Sequence, residues 1–565
     1  MPSASQTDDV ALMTPATGRW SRTDSLLLAT LLGLALFAIL RSFDWRATPV
    51  EDAAMLLRYA ENFANGHGIR WNIDSAPVDG ATDFLFMVAT GLLSRIAHMG
   101  VTTACRILVL GAHLLSIALV FVGGRRIVGG NRWVCAALAL YLMAGPATGM
   151  AEGCFGAPFF AAALLCCWCA ALVYADGNET WGQGVLAAFF GLLSGLIRPE
   201  GVLIAFILMA ATIYRIGMRR AFPMVVSFVS VFVLLGGPYF LWRWHYFGAP
   251  LPNPFYVKGG GHLYPDSVIH AMKNLSQLLF PVLPLIPLGW VSVRTRRLTN
   301  SLAIVLVSFA CMWILLNNWN NHFMRFQYAI VPVVLVTVPG LLVDLDAAGF
   351  PRWATLSAPA RRSIALASVL VTLGSTGYIY KLFGFNDTAA GMRRFAERLQ
   401  PLAAKGHTIA VTEAGVLPLY SQWKVIDGLG LNDATIAHHG NSSITSYFEE
   451  DPPDVIMIHV DSLMPRPELM ILLDGGEPVA GSVHEAFTRM GSFAVQHHYT
   501  VAAAFGVTPC NLHVYWVRPG IADYDAIVST IRDHSYIFLD NGALATDYRD
   551  KLPPPEACVS GSDPN

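Results

Sequence analysis

Two adjacent acids, Glu51 and Asp52, stand just past the apolar run "SLLLATLLGLALFAIL", in the stretch "PVEDAAMLLRYAENFANGHGIRW". A carboxylate at a membrane–water boundary, with apolar residues behind it, can have a raised pKa and serve as a general base. The competing account is simple helix capping. Acids in a first turn suit the helix dipole, and good helix formers follow Pro49. Charge recurs nearby: Arg58 lies seven residues after Glu51 and Tyr59 seven after Asp52, two turns on and on nearly the same face. Later loops add further groups. "RWHYFGAPLPNPFYVK" holds Arg243, His245, Asn253, Tyr256 and Lys258, and "NHFMRF" holds His322 and Arg325. Arginine grips phosphate bidentately; snorkelling is the ordinary alternative and suits Arg243 best, because it ends an apolar run. Carboxylates beside phosphate-binding cations fit one reaction class, in which a sugar moves from a polyprenyl-phosphate lipid to an acceptor hydroxyl.

The elements that must hold these residues are mostly apolar. Of 565 residues, 54% are hydrophobic and 13% charged, about half the charge of an average soluble protein. Apolar runs of helical length recur to about residue 383 and then stop, so the chain reads as a polytopic membrane protein with a soluble tail. A net charge of −2, with no large basic block, argues against a nucleic-acid partner. The first run is expected to be retained, since "RSFDWRATPVED" has no small-residue cleavage site. Seven of nine cysteines lie in or beside apolar runs; "CCWC" has no His or carboxylate at ligand spacing and reads as small residues facing lipid or helices.

Short basic loops at 124–132, 215–220, 294–297 and 351–362 are assigned to the cytoplasm by the positive-inside rule. Consistent alternation then gives eleven spans, near 24–41, 104–123, 133–148, 155–175, 183–197, 201–214, 222–242, 278–293, 301–317, 327–344 and 363–382, provided that Asp83–His98 is juxtamembrane or re-entrant. The N-terminus is then cytoplasmic, the tail external, and the polar motifs collect on the outer face of a cytoplasmic membrane. A transporter or flippase would instead place ionisable groups at mid-membrane in two related halves, and no internal repeat is present. An oligosaccharide polymerase or ligase taking a pyrophosphate-linked lipid is the other enzymatic alternative.

The motif order "EDA…RYAENFANGHGI…VDGATDFLF", "AEGCFGAPFF", "GLIRPEG", "RWHYFGAPLPNPFYVK", "NHFMRFQYAIVPVV" and "TEAGVLPLYSQWKVIDGLGLND" resembles bacterial glycosyltransferases of the GT-C superfamily. It is similar to the mycobacterial terminal arabinofuranosyltransferases and pilin arabinosyltransferases. The resemblance implies a GT-C fold of about eleven transmembrane helices with a catalytic first external loop (about 42–103) in a domain 1–383, and an external α/β domain 384–565. It implies a donor of polyprenyl-phosphate-linked sugar, arabinofuranose by analogy, and a cell-envelope glycan or glycoprotein acceptor. Asp52 matches the family's second first-loop Asp, and Glu51 replaces its first. Asp79 and Asp83 stand for a Glu and an Asn, Pro254 for a Thr, and Glu413 for an Asp, which leaves the sugar open. Arg198 and Glu200 of "RPEG" serve either as a hairpin salt bridge or as substrate contacts. No cofactor is required by this reading; a divalent cation could sit among carboxylates and histidines, although no spacing demands one.

In the tail, "HTIAVT", "DVIMIHV", "HYTVAAAF" and "LHVYWVRPG" read as strands, and "GMRRFAERLQPLAAKG" as an amphipathic helix closed by Gly406. His459 and Asp461 end a strand and read as structural. Cys510 and Cys558, alone in an external tail, are candidates for a disulfide.

Overall fold

The computed structural model describes residues 20–177, 179–258, 262–316, 321–344, 389–460, 464–482, 484–508 and 511–532. The expected span 363–382, the loop 351–362, Asp461, Cys510 and Cys558 lie outside them. In chain order the first helices are α1 (Arg22–Ser42), α2 (Glu51–Ala64), α3 (Phe84–Ala97), α4 (Val101–Arg126), α5 (Arg132–Met143), α6 (Ala147–Glu152), α7 (Ala157–Ala175), α8 (Trp181–Ile197), α9 (Glu200–Ile216), α10 (Met218–Val231) and α11 (Gly237–Phe247). They continue as α12 (Asn253–Lys258), α13 (Pro265–Leu279), α14 (Val293–Met312), α15 (Arg325–Tyr328) and α16 (Val331–Leu341).

Among the described residues six helical segments are long and apolar enough to cross a bilayer, or seven if the pair around Tyr328, bent by 54°, is one span. The 14-residue α3, at about 1.5 Å per residue, covers only about two thirds of a 30 Å hydrocarbon core. That is the short helix expected at Asp83–His98. One expected span is corrected: 278–293 holds no continuous helix, only the 3₁₀ turns Leu283–Leu285 and Pro287–Trp290. Pro281, Pro284 and Pro287 recur every third residue, and each removes a helix donor and clashes with the preceding turn.

Packing separates the helices by position. The apolar window of α1 is 22% buried within the protein, that of α7 83%. The "CCWC" stretch on α7 therefore faces helices rather than lipid, and Trp168 donates to the Thr337 hydroxyl at 2.8 Å. Antiparallel α1 and α4 are tied at both ends. Arg125 pairs with Asp24 at 3.0 Å where α1 begins, and Arg106 grips the chain just past its exit.

The tail contains a five-stranded sheet of β1 (Thr408–Val411), β2 (Lys424–Asp427), β3 (Val455–Val460), β4 (Thr500–Thr508) and β5 (Asn511–Val517). Their order is β2-β1-β3-β5-β4, with β1 parallel to β2 and β3, and β5 antiparallel to β3 and β4. Strand alternation divides the side chains between two cores. Ile409, Val411, Val455, Met457, Tyr515 and Val517 join a core continuous with the membrane helices. Ala410, Ile456, Ile458, Val514 and Trp516 pack instead on Phe448 and Phe493. The expected amphipathic helix forms over Ala390–Leu399, and its following 3₁₀ turn ends at Gly406 with φ +78°. The strand β2 is additional to the four expected.

Candidate active site

The start of α2 is held in place from below. On α4, Arg106 donates to the carbonyls of Trp45 (2.6 Å), Ala47 (2.5 Å) and Glu152 (3.0 Å). Glu152 accepts from the Asp44 amide at 2.9 Å, and Val50, the residue that caps α2, bonds to the Gly153 carbonyl at 3.1 Å. Glu152 therefore positions the loop that leads into the acidic pair, with its side chain on the main chain rather than on a substrate.

Asp52 projects from this fixed start onto Arg325. The guanidinium Nη2 lies 2.6 Å from Oδ2, a charge-assisted bond. The Arg325 side chain is 9% exposed, and its Nη1 is buried without a hydrogen-bond partner. Its Cζ sits 4.2 Å from the Phe155 ring centre and 5.0 Å from that of Phe326. A second guanidinium, Arg198, lies 5.2 Å from the same Phe326 ring, and pairs with Glu200 at 2.6 Å and Asp83 at 3.4 Å. His322 stacks on the Phe155 ring with centroids 6.1 Å apart. Four separate segments thus bring Asp52, Asp83, Arg198, Glu200, His322 and Arg325 to one place. Within it Asp52 is the most open carboxylate, 24% exposed against 14% for Asp83 and 12% for Glu200.

Glu51 has a different task from its neighbour. Its oxygens accept the main-chain N–H groups of Gly415 (2.5 Å) and Val416 (3.0 Å), where the helix Val416–Ser421 begins. Only glycine fits there: a Cβ on Gly415 would sit 2.0 Å from the Glu51 carbonyl oxygen. Burial, then the Glu413 carboxylate, push Glu51 well above the ordinary carboxylate range. The expected partnership of Glu51 with Asp52 in catalysis is replaced by a docking contact to the tail.

Arg58 and Tyr59 are likewise held by the tail. Arg58 is buried over Trp71 and donates to the carbonyls of Trp71 (2.8 Å), Pro418 (2.5 Å) and Trp423 (2.7 Å) and to Asn72 Oδ1 (3.0 Å). With its donors on main-chain carbonyls, it is an internal tie rather than a phosphate ligand. The fully buried Tyr59 donates to Asn432 Oδ1 at 3.1 Å. Asp79 is gripped by Arg243 through two 2.7 Å bonds, so Arg243 is an ion-pair residue and not a snorkeller. Asn253 joins this pair through its amide to the Asp79 carbonyl at 2.9 Å, and its Nδ2 is buried with no partner. Tyr256 packs against His438, ring centres 4.5 Å apart, whereas His245 is exposed on α11. Lys258 ends α12.

The tail matches a family model described as a domain of unknown function (DUF8728) over residues 380–526. No curated protein matches the sequence. Among solved structures the chain is similar to ArnT from Cupriavidus metallidurans in the apo state, at 16% identity and TM-score 0.56, covering 87% of this chain and 98% of that one. The same protein bound to undecaprenyl phosphate aligns at 16% identity and TM-score 0.51, covering 88% and 98%. The archaeal oligosaccharyltransferase AglB from Archaeoglobus fulgidus, in complex with an inhibitory peptide and a dolichol-phosphate, aligns at 11% identity and TM-score 0.54, covering 89% and 75%. The chain has the GT-C fold.

On this fold the tail adds a cluster that residue spacing did not reveal. Glu413 Oε1 lies 2.6 Å from His459 Nδ1, and Oε2 lies 2.8 Å from His513 Nε2. The two imidazoles, His459 first, more than offset the effect of burial and hold Glu413 well below the usual carboxylate range. The three residues come from segments far apart in sequence, so no motif announces them. Phe155 and Phe326, which sandwich Arg325, and Arg106 were equally silent, because a lone aromatic or arginine at a span end carries no pattern of its own.

Proposed function

We propose that the protein is a membrane glycosyltransferase that moves a sugar from a polyprenyl-phosphate donor to a hydroxyl of a cell-envelope glycan or glycoprotein. Asp52 accepts the acceptor's hydroxyl proton as the acceptor oxygen bonds to the sugar's anomeric carbon. The bond from that carbon to the phosphate oxygen breaks, and polyprenyl phosphate leaves. Arg325, and behind it Arg198, supply the positive charge that meets the departing phosphate. The observation that carries the reading is Asp52, the most open carboxylate of its cluster, fixed at 2.6 Å from Arg325 on a GT-C fold. ArnT with undecaprenyl phosphate and AglB with dolichol-phosphate, both of similar fold, support a polyprenyl-phosphate lipid as donor.

The sugar is an arabinofuranose or related pentose, a choice supported by the first-loop and "LPNPFYVK" motifs. The reaction takes place on the outer face of the cytoplasmic membrane. Arg125, Arg126 and Arg132 gather at the start of α1 and the end of α4, opposite the end that carries Asp52, which supports a cytoplasmic N-terminus under the positive-inside rule. We place the domain 384–565 outside the membrane, with its Gly415–Val416 turn on Glu51 of α2. The test uses purified protein in nanodiscs with radiolabelled polyprenyl-phosphate pentose. Release of polyprenyl phosphate only when acceptor is present is expected. Translocation of intact donor without cleavage would overturn the reading.

A further inference from the structure

The loops at the carboxyl ends of β1 and β3 mark the one place in the described sheet where the chain divides. From β1 the chain runs to β2 on one side, and from β2 it crosses to β3 on the other. Such a switch point, beyond the carboxyl ends of parallel strands, is where open α/β sheets hold ligands. Glu413 follows β1, and His459 is the penultimate residue of β3. His513 lies directly opposite His459 on antiparallel β5, a pairing that puts both side chains on the same face about 5 Å apart.

The backbone fixes the third member. Thr412 donates its amide to the Met457 carbonyl at 3.2 Å, and its hydroxyl accepts the His459 amide at 2.8 Å. These two bonds extend the β1–β3 ladder one residue past the strand, so Glu413 arrives level with the two imidazoles. One ligand atom from each of the three lies within 4.8 Å of the others. A tetrahedral Zn²⁺ with bonds of about 2.0–2.2 Å needs its ligand atoms about 3.3 Å apart. The carboxylate–imidazole separations of 2.6 and 2.8 Å, each to a different oxygen of Glu413, open by about 0.5–0.7 Å to reach that spacing, and the widest separation, within 4.8 Å, closes on the ion through side-chain rotation. Two imidazoles and one carboxylate select a transition ion over Mg²⁺ or Ca²⁺, which prefer all-oxygen sites.

We infer that Glu413, His459 and His513 bind a divalent transition-metal ion, Zn²⁺ in first place, at the face of the sheet turned toward α2. Three protein ligands leave a coordination position for water or a substrate oxygen. The ion also fixes the turn that follows: Gly415 and Val416, two and three residues past Glu413, hold the Glu51 carboxylate and hence the start of α2. The site thereby links metal occupancy to the position of Asp52. This inference does not rest on the transferase reading, and it would stand if the sugar or the reaction were different.

The test uses the full-length protein purified in nanodiscs, stripped with chelator, and titrated with Zn²⁺ alone and with Co²⁺ alone. One ion per chain is expected, with Kd of about 1 µM or tighter, together with a rise in Tm and slower amide exchange over 411–416. Co²⁺ should give the strong visible bands of a four- or five-coordinate ion with nitrogen ligands. His513→Ala and Glu413→Gln should each weaken binding by about a hundredfold or more and abolish the Zn²⁺-dependent rise in Tm. Absence of stoichiometric binding to the native chain would overturn the inference without reference to any variant. So would variants of unchanged apo-state Tm that bind Zn²⁺ as the native chain does.

Discussion

Replacing Arg58 with Met tests whether this residue binds substrate or ties the tail to the membrane helices. Met keeps an apolar stem over Trp71, whose ring centre lies 4.7 Å from the guanidinium carbon, and removes every donor. Three main-chain carbonyls, of Trp71, Pro418 and Trp423, then lose bonds of 2.5–2.8 Å in a buried setting. A buried acceptor left bare costs about 1–3 kcal/mol, and carbonyls tolerate it best, so about 1 kcal/mol each gives about 3 kcal/mol in total. That is about a hundredfold in the opening equilibrium of the interface. Hydrogen exchange followed by mass spectrometry should show amides of 416–425 exchanging about a hundred times faster in Arg58→Met, while those of α5 stay as in the native chain. Exchange of 416–425 within about threefold of native, combined with weaker donor binding, would refute the reasoning and return Arg58 to the substrate.

The Asp79–Arg243 pair should behave as a unit. Asp79→Asn strands a buried guanidinium and should cost about 3 kcal/mol, the low end for a broken buried pair, since the Tyr239 hydroxyl still accepts from Arg243 at 3.1 Å. Adding Arg243→Gln should recover more than half of the lost Tm, and a double variant showing the summed loss would count against the pairing. Gly415→Ala should destabilise the docked tail by about 1–3 kcal/mol, as overpacking does, and speed exchange at 413–416; native-like exchange there would show that the close approach to Glu51 is not needed. Cysteines placed at exposed positions 100 and 219 should be labelled from opposite sides of the membrane, position 100 from outside. Labelling of position 100 only from the cytoplasmic side would show that α3 crosses the bilayer.

How much of this was legible in the sequence depended on the range of the signal. Short continuous apolar runs in "HTIAVT" and "DVIMIHV" mark β1 and β3 because each strand is buried against a core on both faces. The strand β2 begins at Lys424 and ends at Asp427, so only Val425 and Ile426 give an apolar signal. Spans were readable where apolar runs were unbroken, and failed at 278–293, where three prolines interrupt an otherwise hydrophobic run. At the site, Asp52 and Arg325 were both visible as charges at span ends, but their pairing across 273 residues was not. Glu51, Arg58 and Tyr59 looked like chemistry because charge in an apolar context attracts that reading. Their actual partners, Gly415, Pro418, Trp423 and Asn432, are backbone groups or neutral side chains about 360 residues away, and carry no charge to signal a match. Glu413, His459 and His513 meet only through strand order, which a single sequence does not display.

The most direct test of the account is turnover by Asp52→Asn in the donor-release assay, with Asp52→Glu alongside. Asn keeps the shape of the side chain and can still accept from Arg325, so the protein should fold and bind donor, with Tm lowered by loss of the ion pair. Loss of the proton acceptor should lower transfer by about a hundredfold or more, the scale of removing a general base, and Asp52→Glu should restore part of it. Native turnover in a folded Asp52→Asn protein would contradict the central claim and remove Asp52 from the chemistry.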